Sequence, residues 1–151
     1  MKLTDEMFFE RFPAFFRNRE EITNPRLVHG ELAIDMGWRP IVWALLETLE
    51  ADSADMGLDP ASPEYPAVAQ IKQKFGGLRV YLSRLPKGFY FYIQHAEMCS
   101  FRTCEKCGKP ARPGWLNGTV LTLCLSCRKD EREAWGDGEW TEAGHLNLYP
   151  E

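Results

Sequence analysis

The chain has 151 residues, 44% hydrophobic and 26% charged, which reads as one compact globular unit and argues against global disorder. No stretch approaches the roughly 18 apolar residues that a membrane span needs. The N-terminus turns acidic at Asp5-Glu6 with no apolar run before it, unlike a secretory signal. The expected setting is a reducing cytoplasm, with no membrane partner. Charge is uneven along the chain: residues 1–68 carry a net −7, residues 69–112 a net +7 and residues 113–151 a net −4. Either the acidic and basic parts face each other across the fold, or the basic part is a face for an anionic partner. The sequence pI of about 5.5 favours the first.

Residues 5–12 predict a short helix, with Asp5 and Glu6 complementing its dipole and Pro13 ending it. Phe8, Phe9, Phe12, Phe15 and Phe16 form a dense aromatic cluster, best read as core. After Gly37-Trp38, Pro40 suits a first helical position. Ile41, Val42, Leu45, Leu46 and Leu49 then recur at helical spacing, so a helix is expected over about 40–51. Residues 52–62 read as a loop. Ser62-Pro63-Glu64 resembles a helix start, Tyr65, Val68, Ile71 and Phe75 share a helical face, and Gly76 suits the residue after its end. A second helix is therefore expected up to Phe75. Leu78, Val80 and Leu82 alternate with Arg79, Tyr81 and Ser83 as a half-buried strand. A turn at 85–88 precedes a helix over 89–101.

Cys104 and Cys107, then Cys124 and Cys127, give two CxxC pairs with 16 residues between them, the spacing of a structural zinc site. Each two-residue gap lets one tight turn aim two sulfurs at one metal, and Gly108 eases the first turn. Asn117-Gly118 is a favoured hairpin turn, and residues 128–135 read as a helix. Knuckle, hairpin and helix in this order point to a treble-clef module, with a zinc ribbon as the alternative. Four thiolates fill the coordination sphere, which favours a structural zinc ion over a catalytic one. Lys106, Lys109, Arg128 and Lys129 flank the site and would offset its charge. The fifth cysteine, Cys99, reads as a buried reduced thiol.

No nucleotide-binding loop is present. The three histidines, His29, His95 and His145, form no recognisable catalytic or metal motif, and the hairpin between the cysteine pairs has no histidine. A non-enzyme is the better reading. Lys72, Lys74, Arg79, Arg84, Lys87, Arg102, Lys109 and Arg112, interleaved with Tyr81, Tyr90 and Tyr92, are the candidate contacts to an anionic partner, nucleic acid included.

The run Lys74-Phe75-Gly76-Gly77-Leu78-Arg79-Val80-Tyr81, then Ala96-Glu97 with Ser100, then Cys104-Glu105-Lys106-Cys107-Gly108, Gly114-Trp115 and Thr122-Leu123-Cys124 resemble a family of small proteins common in bacteriophage and prophage genomes. That family shows a KFGxLRFY segment and a C-terminal four-cysteine module in the same order. The resemblance covers roughly residues 37–128, and Val80 departs from it where an aromatic residue is usual. It carries no assigned activity; it implies a phage or prophage origin, a location in the host bacterial cytoplasm, and zinc on the four cysteines.

The expectation is thus an α+β protein: a mainly helical part with a short sheet over 1–100, a zinc module over 101–135, and a tail over 136–151. Trp135, Trp140, Leu146, Leu148 and Tyr149 give that tail apolar surface with which to dock. The expected function is non-enzymatic binding to a bacterial host protein, regulatory or defensive. The alternative is a nucleic-acid-binding zinc finger.

Overall fold

The computed structural model describes residues 2–19, 32–135 and 138–143. Among them the chain is α+β, with four α-helices and two three-stranded sheets. Helix α1 (Asp5–Arg11) begins where the Thr4 hydroxyl accepts the Met7 N–H, and it ends before Pro13. Helix α2 (Arg39–Asp55) opens with Pro40 in its first turn. It runs four residues past the expected end because Ser53 is buried and its hydroxyl donates to the Leu49 carbonyl, which holds one more turn against the core. Gly57, at φ +74°, follows the helix.

The helix expected up to Phe75 is instead a strand, β2 (Val68–Lys74), paired antiparallel with β3 (Gly77–Leu82). Pro66 removes an N–H that a helix interior would need. Ser62 caps only a local turn, accepting the Glu64 N–H on its hydroxyl and the Tyr65 N–H on its carbonyl. The misleading three-residue spacing comes from a β-bulge. Val68 pairs with Leu82 and Ile71 with Val80, so Ala69 is an extra residue that turns both apolar side chains to one face. Gly76 is a hairpin glycine rather than a helix stop. Phe75 and Gly76 both have positive φ, at 52° and 77°, as a two-residue hairpin turn of type I′ requires.

Strand β1 (Leu32–Ala33) adds parallel to β2 and completes the first sheet in the order β1-β2-β3. Helix α3 (Phe89–Ser100) packs against α2 and β3. The core between them holds Phe8, Phe12, Phe15, Phe16, Trp38, Leu46, Leu49, Ile71, Leu78 and Phe89. Phe8, Phe12, Phe15 and Phe16 of the expected cluster are therefore core, with Phe9 half-buried against them, and the Phe8 and Phe12 rings meet Trp43 edge-on at 5.0 and 5.1 Å.

The second sheet has the order β5-β4-β6, from β4 (Arg112–Leu116), β5 (Thr119–Leu123) and β6 (Thr141–Glu142). Asn117 and Gly118 make the expected turn, again with φ positive at both, 52° and 80°. Helix α4 (Leu125–Trp135) follows β5. Of the tail, β6 pairs with β4, and Trp140 lies over Gly114 and beneath the Arg128 guanidinium, 4.4 Å from its ring centre. Leu146, Leu148, Tyr149 and the Trp135 side chain lie outside the described residues.

Candidate metal centre

Cys104 to Lys109 form a tight knuckle. The Cys104 N–H donates to the Lys109 carbonyl at 2.7 Å, the Gly108 N–H to the Cys104 carbonyl at 2.9 Å, and Gly108 takes φ +83°. Cys124 stands between β5 and α4, where its sulfur accepts the Cys127 N–H at 3.4 Å in the manner of an N-cap. The hairpin carries Cys124 back to the knuckle. The four sulfurs converge within 4.8 Å of one another, with Cys107 and Cys124 at 3.6 Å. They lie close enough to hold one metal ion. Burial favours the neutral thiol and, with the adjacent sulfurs, pushes Cys107 and Cys127 up. At Cys124 the Cys127 N–H and the neighbouring thiols outweigh burial and hold it down to about 7.

The centre sits on the first sheet through one buried joint. The Gly37 N–H donates to the Glu105 carbonyl at 2.9 Å, and the Trp38 indole N–H to the Thr103 carbonyl at 2.7 Å. Glu105, between the two knuckle cysteines, accepts the Thr122 N–H at 3.0 Å and the Gln73 amide at 3.3 Å on its carboxylate. Gln73 also donates to the Val120 carbonyl, and the Thr122 hydroxyl to the Gly76 carbonyl at 2.6 Å. Burial raises the Glu105 carboxyl above its ordinary range, against the Thr122 and Gln73 donors. Sequence reasoning missed Glu105 and Gln73 as joint residues; the one available signal was a carboxylate placed inside a CxxC.

Of the basic residues expected around the sulfurs, Lys106 pairs with Glu131 at 2.8 Å and Asp35 at 3.5 Å, and Arg128 pairs with Glu142 at 3.5 Å. The eight candidate anion contacts lie on different elements: Lys72 and Lys74 on β2, Arg79 on β3, Arg112 on β4, and Arg84, Lys87, Arg102 and Lys109 between elements. Arg79 pairs with Glu97 at 3.3 Å, and Arg84 pairs with Glu64. Lys72 and Arg79 are direct cross-strand partners, with Lys74 on the same outer face, and Lys72 and Lys74 lie near the Tyr81 and Phe75 rings. Lys87, Arg102, Lys109 and Arg112 are exposed and make no ion pair among the described residues. His29 and His145 lie outside the described residues. Cys99 is half-buried rather than buried, and its neighbour is His95.

No family model, curated protein or solved structure matches this chain. No helix among the described residues is long and apolar enough to cross a membrane.

Proposed function

We propose that this is a zinc-stabilised binding protein of phage type, whose C-terminal part is a treble-clef module and whose partner is a bacterial host protein. The observation that carries the reading is the closed sulfur cluster. Four cysteine sulfurs converge on one point, and a metal there has no coordination position left for water or substrate. Zinc suits this donor set: bonds of about 2.3 Å in a tetrahedron need sulfur separations of about 3.8 Å, and the sulfurs lie within 4.8 Å of one another. Knuckle, hairpin and helix supply them in treble-clef order.

A protein partner is favoured by two features. Arg79 and Arg84 already face carboxylates, and Arg84–Glu64 and Lys106–Asp35 join the basic stretch to the acidic one. The surface around the start of α3 is apolar instead, with Phe91 71% exposed beside Tyr90 at 59% and Leu85 at 57%. The phage-like motifs direct the search to a bacterial host. The second reading, nucleic acid, draws on Lys72, Lys74 and Tyr81 along the outer face of the hairpin.

The test is capture of tagged protein from bacterial lysate with and without nuclease, beside the double variant Tyr90→Ser/Phe91→Ser. A stoichiometric protein partner that survives nuclease and is lost with the variant supports the proposal. Material that vanishes with nuclease, and binding that falls steeply with salt, would overturn it in favour of nucleic acid. Metal analysis of the purified chain should give one zinc per molecule.

A further inference from the structure

A second chemical feature lies away from the four sulfurs, in a groove of about 480 Å³ between α2 and α3. Residues four apart on a helix are neighbours on its surface, and this spacing brings the Cys99 sulfur to 3.6 Å from His95 Nε2. Ile41, Ala44 and Leu45 of α2 form one wall, and Tyr92 and Ala96 of α3 form the other. Among the described residues, no carboxylate, lysine or arginine lines the groove. A half-buried thiol and an exposed imidazole therefore share an apolar cleft, and among the described residues that line it His95 is the group placed to take the thiol proton.

We infer that Cys99 is an S-acylation site: its sulfur, deprotonated by His95, accepts the acyl group of an apolar acyl thioester whose chain lies along the groove between α2 and α3. With Nδ1 protonated, His95 Nε2 accepts the Cys99 S–H. The sulfur attacks the thioester carbonyl, a new Sγ–C(=O) bond forms, and the thioester C–S bond breaks. The departing thiolate takes the proton from His95 Nε2, so no oxidant or external acid is required. An imidazole within reach of a thiol is the arrangement that activates cysteine nucleophiles. The apolar walls select the occupant, because a charged electrophile would lose its hydration there without gaining a partner. The inference is independent of the metal centre and of the partner proposed above.

The experiment incubates the full, zinc-loaded chain with hexadecanoyl-coenzyme A or acetyl-coenzyme A and follows intact mass, with peptide mapping. The expected result is one hexadecanoyl group on Cys99, released by hydroxylamine and absent in Cys99→Ser. The hexadecanoyl donor should react faster than the acetyl donor. His95→Gln should slow acylation about 10²-fold, the usual scale for loss of a general base. Ala44→Glu, which places a carboxylate in the groove wall, should abolish the preference for the long chain while leaving acetyl transfer in place. Melting curves of the three variants establish that they are folded. Absence of an adduct on the folded wild-type chain overturns the inference, as does label on Cys104, Cys107, Cys124 or Cys127 in place of Cys99. An unchanged rate in His95→Gln or an unchanged chain preference in Ala44→Glu does the same.

Discussion

Gly37 has no room for a side chain: a Cβ there would fall 2.0 Å from the Cys104 carbonyl oxygen. Its value is close approach, since its N–H reaches the Glu105 carbonyl. Gly37→Ala should destabilise the chain by about 1–3 kcal/mol, the usual cost of overpacking, and chemical denaturation checks it. Glu105 is the opposite case, a charged group held inside by its partners. Glu105→Ala strands the Thr122 N–H and frees the Gln73 amide, so a loss of about 1–3 kcal/mol is expected for the unsatisfied donors. Glu105→Gln keeps one acceptor oxygen and should lose less. If both variants unfold at the wild-type denaturant concentration, the Glu105 carboxylate contributes nothing to stability. The cluster of four cysteines was legible from spacing alone because the geometry of each CxxC turn is local. Gln73 was not, because its partners Glu105 and Val120 lie 32 and 47 residues away.

At the scale of elements, legibility followed periodicity. Helices α1, α2 and α3, strand β3 and the Asn117-Gly118 hairpin each carry an undisturbed pattern or a turn dipeptide. The strand Val68–Lys74 does not, because the Ala69 bulge imitates helical spacing. Its turn offers a direct test. Phe75 is exposed and holds φ +52°, a conformation costly for a bulky aromatic and well tolerated by asparagine. Phe75→Asn should stabilise the hairpin by about 0.5–1 kcal/mol, within the range for matching a residue to its backbone conformation, and raise the melting temperature. Gly76→Ala should lower it, since φ is +77° and the new Cβ would lie 2.9 Å from Val120. A helix ending at Phe75 with Gly76 just after it would also lose stability in Gly76→Ala, so the stabilisation by Phe75→Asn is the result that separates the hairpin from that helix.

For the whole molecule the question is how far the two sheets depend on one another. The buried set around the sulfurs is small, Cys104, Leu123 and Cys124, with Leu121, Ala111 and Trp140 packed against it. Without metal such a core is insufficient for independent stability. Chelation, or Cys104→Ser or Cys124→Ser, should therefore lower zinc content and speed amide exchange over residues 101–135. The core around α2, β2 and β3 should keep its protection longer, because its apolar contacts do not involve the metal. Full zinc and native melting in either cysteine variant would remove the four-cysteine assignment. Simultaneous loss of protection in both sheets would show that the joint at Gly37, Glu105 and Thr122 makes them one cooperative unit.

The sequence by itself determined the α+β class, the aromatic core of the N-terminal part and the four sulfurs at one point, since each rests on local spacing or on burial of a dense apolar set. Tertiary structure alone decided the rest. It turned Val68–Lys74 into a strand through pairing with β3. It matched acidic Glu64 and Asp35 to basic Arg84 and Lys106 across the fold. It seated the cysteine knuckle on Gly37, and it opened beside Cys99 and His95 a groove whose other wall is α2. The physical reason is common to all four: each depends on a partner far along the chain, and no local pattern encodes which distant residue will arrive.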